Sequence, residues 1–330
     1  MNHTIPAKPL VGIAHVTYRL ADVFAERSVN FRYFEVRTQA DLHGRLGEID
    51  MLLVSGLWDN NMLAAAPRLR FIQAISSGVE NFDLGALAQR GVALANGRGV
   101  NARAVAEHAM ALTLSLTRQL HLARDRQSAG LWRDLIGSRD QRETELGGKT
   151  MLVVGAGTIG TTLGRIARQG FGMRTIGLRR QPSTSDAFDA VVTRSGLTSA
   201  LGTADIVVLT APLTPETRGM IGQAEFGAMR PDAILVNVGR GGLIDERALL
   251  ATLRAGNLRG VGLDCFEQEP LGTNSPLWGI PRVVITPHTA GESSRYEDRI
   301  ADLFLGNLQR LRQGLPLENA IFQPGLNHPG

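Results

Sequence analysis

The chain has 330 residues, which is enough for about two domains that each bury a core. Its content of 43% hydrophobic and 20% charged residues is ordinary for a globular protein. The net charge is only +4, and the basic residues are dispersed among acids, which argues against a nucleic-acid-binding surface. A single cysteine, Cys265, excludes an intramolecular disulfide framework and a cysteine-based metal cluster.

The chain shows no sign of a secretory leader or a membrane span. Its N-terminal segment lacks the basic stretch followed by an apolar run that a signal peptide requires. The longest apolar stretch, around Ala109–Leu116, is too short to cross a bilayer. We therefore expect a cytoplasmic protein with no membrane partner.

The first hundred residues are predicted to form short apolar strands that alternate with helices. Such strands are typical of a parallel sheet that is covered by helices on both faces. The predicted strands are Val11–Val16, Phe31–Val36, Met51–Ser55, Phe71–Ile75 and Val92–Ala95. The next segment, Asn101–Ala129, is rich in alanine and leucine and is predicted to be one long helix.

A glycine fingerprint lies near the middle of the chain, between the apolar run Met151–Val154 and a predicted helix over Leu163–Gln169. In a dinucleotide-binding turn, the first glycine permits the tight turn and the second lets the backbone approach a pyrophosphate. The third lets the helix pack closely on the strand. The free N–H groups at the start of that helix also favour phosphate. The predicted pyrophosphate-binding residues are Gly155, Gly157, Thr158, Ile159 and Gly160.

Apolar strands and helices continue to alternate after the fingerprint, so a second doubly wound sheet is predicted. In open α/β sheets, ligands bind outside the carboxyl ends of the strands. The predicted strands here are Thr175–Leu178, Asp205–Leu209, Ala233–Val238, Gly260–Leu263 and Val283–Thr286. The predicted helices are Gln223–Met229, Asp245–Arg254 and Glu292–Arg312.

The predicted fold is therefore α/β, with two Rossmann-like, doubly wound parallel-sheet domains and an active-site cleft between them. A substrate-binding, flavodoxin-like domain is assigned to residues 1–100 plus 291–330, because the last helix is expected to return to it. The dinucleotide-binding Rossmann domain is assigned to residues 101–290.

Three polar side chains, Arg240, Glu269 and His288, are predicted at or near strand ends beyond the fingerprint. Histidine readily exchanges a proton near neutral pH, and a neighbouring carboxylate would orient its ring. Arg240 lies among glycines that leave room for a substrate, and a guanidinium group can bind a carboxylate through two hydrogen bonds. We therefore predict that these three residues are catalytic. No spacing of histidine and acidic residues predicts a metal site.

Longer motifs resemble those of the D-isomer-specific 2-hydroxyacid dehydrogenases, in particular members of the glyoxylate/hydroxypyruvate reductase kind. The resemblance covers nearly the whole chain and implies hydride transfer between a nicotinamide cofactor and a 2-oxo acid or D-2-hydroxy acid. The motifs that carry it are Val153–Gly160, Ala211–Thr217, Leu235–Ile244, Gly262–Pro270 and Thr286–Gly291, with weaker matches at Ser77–Val79 and Val105–His108.

The resemblance also implies roles for individual residues. Arg240 would bind the substrate carboxylate and carbonyl, His288 would be the acid–base group, and Glu269 would pair with His288. Asp264 would contact the nicotinamide carboxamide. The other implied contacts are the backbone of Ser77, Gly78 and Val79 with the substrate carboxylate, and Thr210, Ala211, Pro212, Thr217, Val238 and Gly239 with the cofactor.

The residues that follow the strand after the fingerprint favour NADP(H) over NAD(H). A site that prefers NAD usually places an acidic residue about 20 residues past the glycines, to bind the ribose hydroxyls. Here Arg179 and Arg180 stand at that place, and the next acidic residue is Asp186. Two guanidinium groups suit a 2′-phosphate, so we predict that they select NADP(H), with binding of NAD(H) still possible.

Several alternatives stay open at this stage. Glyoxylate and hydroxypyruvate suit a small pocket, whereas Leu57, Trp58 and Met62 could line a wider apolar pocket for larger 2-oxo acids. The alternative function is an NAD(P)-sensing, corepressor-like binding protein on the same fold. The resemblance further implies a homodimer that is built by the long helix and the loop after it, from which Trp132 could reach the partner subunit.

Overall fold

The computed structural model describes residues 5–181 and 185–324 and divides into two α/β units. The first unit comprises Met1–Asn101 and Ser293–Gly330, and the second comprises Ala102–Glu292. Each unit contains its own sheet, which confirms the prediction of two doubly wound parallel sheets. No helix among the described residues is both long enough and apolar enough to cross a membrane.

The helices and strands alternate along most of the chain. The strands are β1 (Leu10–Ala14), β2 (Arg32–Val36), β3 (Met51–Val54), β4 (Phe71–Ala74), β5 (Ala93–Ala95), β6 (Thr150–Val154), β7 (Arg174–Leu178), β8 (Ala190–Val192), β9 (Ile206–Leu209), β10 (Ile234–Asn237), β11 (Gly260–Leu263), β12 (Val283–Ile285) and β13 (Ala320–Phe322). The α-helices are α1 (Leu20–Glu26), α2 (Gln39–His43), α3 (Met62–Ala65), α4 (Leu84–Arg90), α5 (Ala102–Thr117), α6 (Leu120–Ser128), α7 (Thr158–Arg165), α8 (Leu197–Thr203), α9 (Gln223–Ala228), α10 (Glu246–Arg254) and α11 (Tyr296–Arg312).

The sheet of the first unit has the strand order β2–β1–β3–β4–β5–β13. All neighbouring strands are parallel except β13, which runs antiparallel to β5. The order reverses between β1 and β3, as in flavodoxin-like sheets. Strands β1, β3, β4 and β5 are buried along their whole length, which explains why Gln73 of β4 is the single polar residue in these four strands.

The sheet of the second unit has the order β12–β11–β10–β9–β6–β7–β8, and all its strands are parallel. Helices cover both of its faces. Met151 and Val153 of β6 pack in one core cluster with Leu112 of α5, whereas Leu152 packs in the other with Leu249 of α10. The strand order reverses between β6 and β9, and such a switch point is where open α/β sheets bind their ligands.

The prediction of one long helix over Asn101–Ala129 is wrong, because α5 and α6 divide this segment. Gln119 interrupts it with φ at 54°, in the left-handed region, and its side-chain amide donates to the backbone oxygen of Gln141 at 2.8 Å. No glycine or proline marks the break. Helix α6 buries none of its residues, so the apolar pattern ends with α5.

Two further differences concern short elements. Strands β8 and β13 were not predicted, because three residues are too few to show a periodic pattern. The helix after the fingerprint begins at Thr158, earlier than the predicted Leu163, and continues beyond Arg165 as one π-helical turn.

Candidate active site

The predicted site residues of the second unit lie in loops, or in the first turn of helix α7, where the chain leaves the sheet at one edge. Because the strands are parallel, their carboxyl ends meet at that edge. The loops are Gly155–Gly160 after β6, Arg179–Arg180 after β7, Thr210–Thr217 after β9, Val238–Gly241 after β10, Asp264–Glu269 after β11 and Thr286–His288 after β12.

His288 and Glu269 are in direct contact, with His288 Nδ1 lying 2.6 Å from Glu269 Oε2. The second carboxylate oxygen, Oε1, accepts the backbone N–H of Phe266 at 2.9 Å, which fixes the carboxylate. With an ionised glutamate, the proton of the histidine contact lies on Nδ1, so Nε2 is left to exchange a proton with another molecule. The two side chains are 45% and 35% exposed, so solvent and small molecules can reach the pair.

The backbone of His288 has an uncommon conformation. Its φ is 55°, in the left-handed region that few residues other than glycine adopt. Its N–H donates to the carbonyl of Thr286 at 3.1 Å, and the next two N–H groups, of Thr289 and Ala290, donate to the carboxylate of Asp264 at 3.0 Å. Such conformations persist where surrounding contacts impose them, and they cluster at functional sites.

Asp264 is a buried carboxylate at the end of β11, only 1% exposed. Besides the two backbone N–H groups, it accepts the hydroxyl of Thr286 at 2.6 Å. Both oxygens therefore bind the segment that carries His288, whereas the resemblance implies a contact with the nicotinamide carboxamide.

Sequence reasoning missed His108 as part of this network. Its Nε2 lies 3.0 Å from Thr286 Oγ1 and 3.6 Å from Asp264 Oδ1. The weak motif match at Val105–His108 was the only signal in the sequence that pointed to it.

The loop that carries Arg240 is held by Asn237, the last residue of β10. Asn237 is fully buried; its Nδ2 donates to the carbonyl of Arg240 at 3.0 Å and its Oδ1 accepts the N–H of Gly239 at 3.1 Å. The exposed Arg240 side chain donates from Nη1 to the Gly239 carbonyl at 2.8 Å. Asn237 was not singled out from the sequence, although a polar residue that ends a buried strand is a usable signal.

The Arg240 loop packs directly on the turn that carries Glu269. A Cβ atom on Gly241 would overlap the carbonyl group of Phe266, so only glycine permits this approach. Cys265 is a buried residue of this turn, and its Sγ lies 3.5 Å from the Gly239 carbonyl oxygen. Burial, followed by the charges of Asp264 and Glu269, raises the pKa of its thiol to about 12. One potential ligand atom from each of Cys265, Glu269 and His288 lies within 4.8 Å of the other two, a grouping that the sequence spacing did not suggest.

The three fingerprint glycines occupy three different environments. A Cβ on Gly155, whose φ is 104°, would overlap the backbone of Ala211, and one on Gly160 would overlap the carbonyl of Gly155. A Cβ on Gly157 would meet nothing within 4 Å. Gly157 and Thr158 are exposed where α7 begins, and the first N–H groups of a helix have no partner within the helix. This arrangement fits a dinucleotide pyrophosphate.

Two threonines of the predicted cofactor site fix the neighbouring loops. Thr210 Oγ1 donates to the carbonyl of Gly155 at 2.7 Å and so joins the end of β9 to the fingerprint turn. Thr217 Oγ1 donates to the carbonyl of Pro212 at 2.8 Å and accepts the N–H of Thr214 at 2.7 Å. Three further residues of the predicted cofactor site, Ala211, Val238 and Gly239, are buried.

Arg179 and Arg180 follow β7, beside the fingerprint helix. Arg179 is half-buried and donates from Nη2 to Thr161 Oγ1 at 3.1 Å, and Arg180 is exposed. The acidic residue that follows them, Asp186, pairs with Arg165 of α7 at 2.9 Å. The carboxylate that could compete with a phosphate is therefore bound to another arginine.

The first unit contains the remaining predicted substrate residues, in the loop after β4. Ser76 Oγ donates to the carbonyl of Gly78 at 2.8 Å, and Asn96 Nδ2 donates to that of Ser77 at 2.6 Å. Within residues 5–181 and 185–324, the N–H groups of Ser77, Gly78 and Val79 donate to no protein acceptor. These amides are therefore able to bind an anionic group.

The wider apolar pocket that was considered from the sequence is not supported by two of its three residues. Trp58 and Met62 are core residues of the first unit, with 5% and 3% exposure. The Trp58 ring stacks on Phe82, with 5.8 Å between the ring centroids. Of the three, only Leu57 is partly exposed.

Comparison with known proteins identifies the family. The family model for the D-isomer specific 2-hydroxyacid dehydrogenase NAD-binding domain matches residues 110–290. Glyoxylate/hydroxypyruvate reductase B of Yersinia enterocolitica is 36% identical over 284 residues, which is 86% of this chain and 87% of that protein. The protein of the same name from Yersinia pestis is 36% identical over 304 residues, 92% of each chain.

A solved structure agrees with these relatives. It is a D-isomer specific 2-hydroxyacid dehydrogenase family protein from Aeromonas salmonicida, which is 32% identical and has a TM-score of 0.84 over 96% of this chain and 99% of that one. The fold, the nucleotide fingerprint and the relatives thus lead to one conclusion. This chain belongs to the D-isomer-specific 2-hydroxyacid dehydrogenase family and is an oxidoreductase with a domain for a nicotinamide cofactor.

Proposed function

We propose that the protein reduces a small 2-oxo acid, glyoxylate or hydroxypyruvate, to the corresponding 2-hydroxy acid with NADP(H). The observation that carries this proposal is the His288–Glu269 pair, at 2.6 Å, on the same sheet edge as an open dinucleotide fingerprint. The names of the Yersinia relatives support the choice of substrate. The reductase names of these relatives also disfavour the alternative, a nucleotide-sensing binding protein.

The histidine–glutamate pair is suited to proton transfer. A bound nicotinamide cofactor supplies the hydride. His288 would donate the proton on Nε2 to the substrate oxygen as negative charge develops there. Glu269 would hold the imidazole in orientation through Nδ1 and balance the positive charge of the protonated ring. In the reverse direction, neutral His288 would accept the proton of the hydroxyl group.

Arg240 would bind the substrate carboxylate and stabilise the charge that forms on the carbonyl oxygen. The buried Asn237 fixes its loop, so the backbone that carries the guanidinium group is held in a defined position. In the first unit, the N–H groups of Ser77, Gly78 and Val79 are proposed to bind an anionic group.

The preference for NADP(H) is proposed from Arg179 and Arg180. Both follow β7 beside the fingerprint helix, and Arg165 holds the following acid, Asp186. A hydrogen bond to a charged group contributes roughly 1.5–3 kcal/mol, which is about 10- to 100-fold in affinity. We therefore expect the two arginines to bind a 2′-phosphate.

Replacing both arginines with alanine is expected to lower kcat/KM for NADPH roughly 10- to 100-fold and to leave the value for NADH nearly unchanged. The measurement is steady-state kinetics with glyoxylate and with hydroxypyruvate. Arg230→Ala is the control, because Arg230 pairs with Asp232 at 3.1 Å and precedes β10, at the opposite edge of the sheet from the fingerprint. A higher kcat/KM for NADH than for NADPH in the wild-type protein would contradict the cofactor assignment. Tight NADPH binding without turnover of any 2-oxo acid would favour the alternative function, an NAD(P)-sensing binding protein.

We also propose a homodimer, supported by the loop after α6. Trp132 and Leu135 in this loop are each 98% exposed, and Leu131 is 65% exposed. Large apolar side chains grouped on a surface mark contact sites. A twofold dimer would bury the same loop of both subunits.

Replacing both Trp132 and Leu135 with serine is expected to halve the mass measured by sedimentation velocity, because the apolar contact is lost. Trp278→Ser serves as the control, since Trp278 is also exposed (54%) but lies elsewhere in the chain. A monomeric wild-type protein, or a serine variant that stays dimeric, would contradict this assignment.

A further inference from the structure

We propose that His108 is a positioning residue for His288, acting through Thr286 and Asp264. This inference rests on the proposed role of His288 as the proton carrier. His108 lies on α5, far from the catalytic pair in sequence, and its side chain is 23% exposed. Its ring contacts the same polar network that binds the residues on both sides of His288.

The hydrogen bonds of Thr286 determine which groups in this network donate and which accept. Its hydroxyl carries one proton, which it donates to Asp264 Oδ1 at 2.6 Å because an ionised carboxylate can only accept. The contact of 3.0 Å between His108 Nε2 and Thr286 Oγ1 therefore requires His108 to donate. His108 consequently carries a proton on Nε2, and that N–H lies 3.6 Å from Asp264 Oδ1.

Asp264 needs these donors because it is almost completely buried. A buried carboxylate without partners is strongly destabilising, so each hydrogen bond it accepts constrains the group that donates it. Its partners are the hydroxyl of Thr286 and the N–H groups of Thr289 and Ala290. The donors thus lie two residues before His288 and one and two residues after it.

His288 in turn needs such constraints, because its φ of 55° is unfavourable for a residue with a side chain. If the segment from Thr286 to Ala290 relaxed, the imidazole would move relative to Glu269. Misplacement of a reacting group by about 1 Å can lower a rate roughly 100-fold. Because His108 donates to Thr286, its imidazole fixes the hydroxyl that begins this segment.

The experiment compares His108→Phe with His108→Gln. Phenylalanine removes the donor, whereas the glutamine amide can place an N–H near the position of Nε2. We expect His108→Phe to lower kcat for glyoxylate reduction about 10- to 100-fold, with the KM for NADPH changed by less than about twofold. His108→Gln is expected to recover most of that loss. His121→Phe is the matched control, because His121 lies on α6 and contacts the Ser115 carbonyl instead.

A second measurement does not depend on activity. Nitrogen-15 NMR of the histidine rings should show His108 protonated on Nε2 and should show shifted His288 ring signals in His108→Phe but not in His121→Phe. Unchanged kcat in His108→Phe, equal losses in the phenylalanine and glutamine variants, or unmoved His288 signals would overturn the proposal. If wild-type protein reduces no 2-oxo acid but the NMR pattern holds, the proposed reaction fails and the positioning network stands.

Discussion

Replacing His288 with glutamine is expected to lower kcat roughly 10²–10⁴-fold while the affinity for NADPH stays unchanged. Glutamine can still donate to Glu269, but it cannot take up and release a proton near neutral pH. The loss should therefore appear in turnover with both glyoxylate and hydroxypyruvate. Steady-state kinetics measures kcat, and NADPH fluorescence titration measures binding.

The control for this experiment is His121→Gln, since His121 is a histidine of the same unit that contacts only a backbone carbonyl in the described structure. It is expected to keep wild-type kcat. A His288→Gln enzyme that turns over at nearly the wild-type rate would remove the imidazole from the proposed mechanism. Weaker NADPH binding in this variant would show that the substitution also disturbs the cofactor site.

The sheets could be predicted from the sequence because their central strands are buried on both faces. Gly260–Leu263 was predicted with the bounds it has in the structure, and most other strands differ by one or two residues. The break between α5 and α6 could not be predicted, because Gln119 adopts its left-handed conformation without a glycine or proline signal. Its anchor, the carbonyl of Gln141, is distant in the sequence.

The candidate site could likewise be predicted only in part. Motifs that are continuous in the sequence led to the fingerprint, to Arg240, and to the Glu269 and His288 pair. Contacts between distant residues did not show in any motif: His108 and Thr286 are 178 positions apart. The buried position of Asp264, which directs its oxygens towards the His288 segment, also follows only from the packing of β11 beside β12.

Gly241→Ala is expected to disrupt the site through its backbone. The new Cβ would overlap the carbonyl group of Phe266, which belongs to the turn that holds Glu269. Backbone atoms cannot rotate away as a side chain can, so the Arg240 loop and the Glu269 turn must separate. Overpacking of this kind typically costs about 1–3 kcal/mol of stability. A shift of about 1 Å between these loops should lower kcat/KM roughly 100-fold.

The neighbouring substitution Gly242→Ala separates this effect from a general intolerance of the loop. A Cβ on Gly242 would lie 3.1 Å from Leu213 Cδ2 and 3.3 Å from Arg218 Nη1, both at the ends of side chains that can move. Gly242→Ala should therefore keep most of its activity and its melting temperature. Thermal unfolding and steady-state kinetics of the two variants test the difference. Equal behaviour of the two would mean that the close approach of Gly241 to Phe266 does not hold the Arg240 loop against the Glu269 turn.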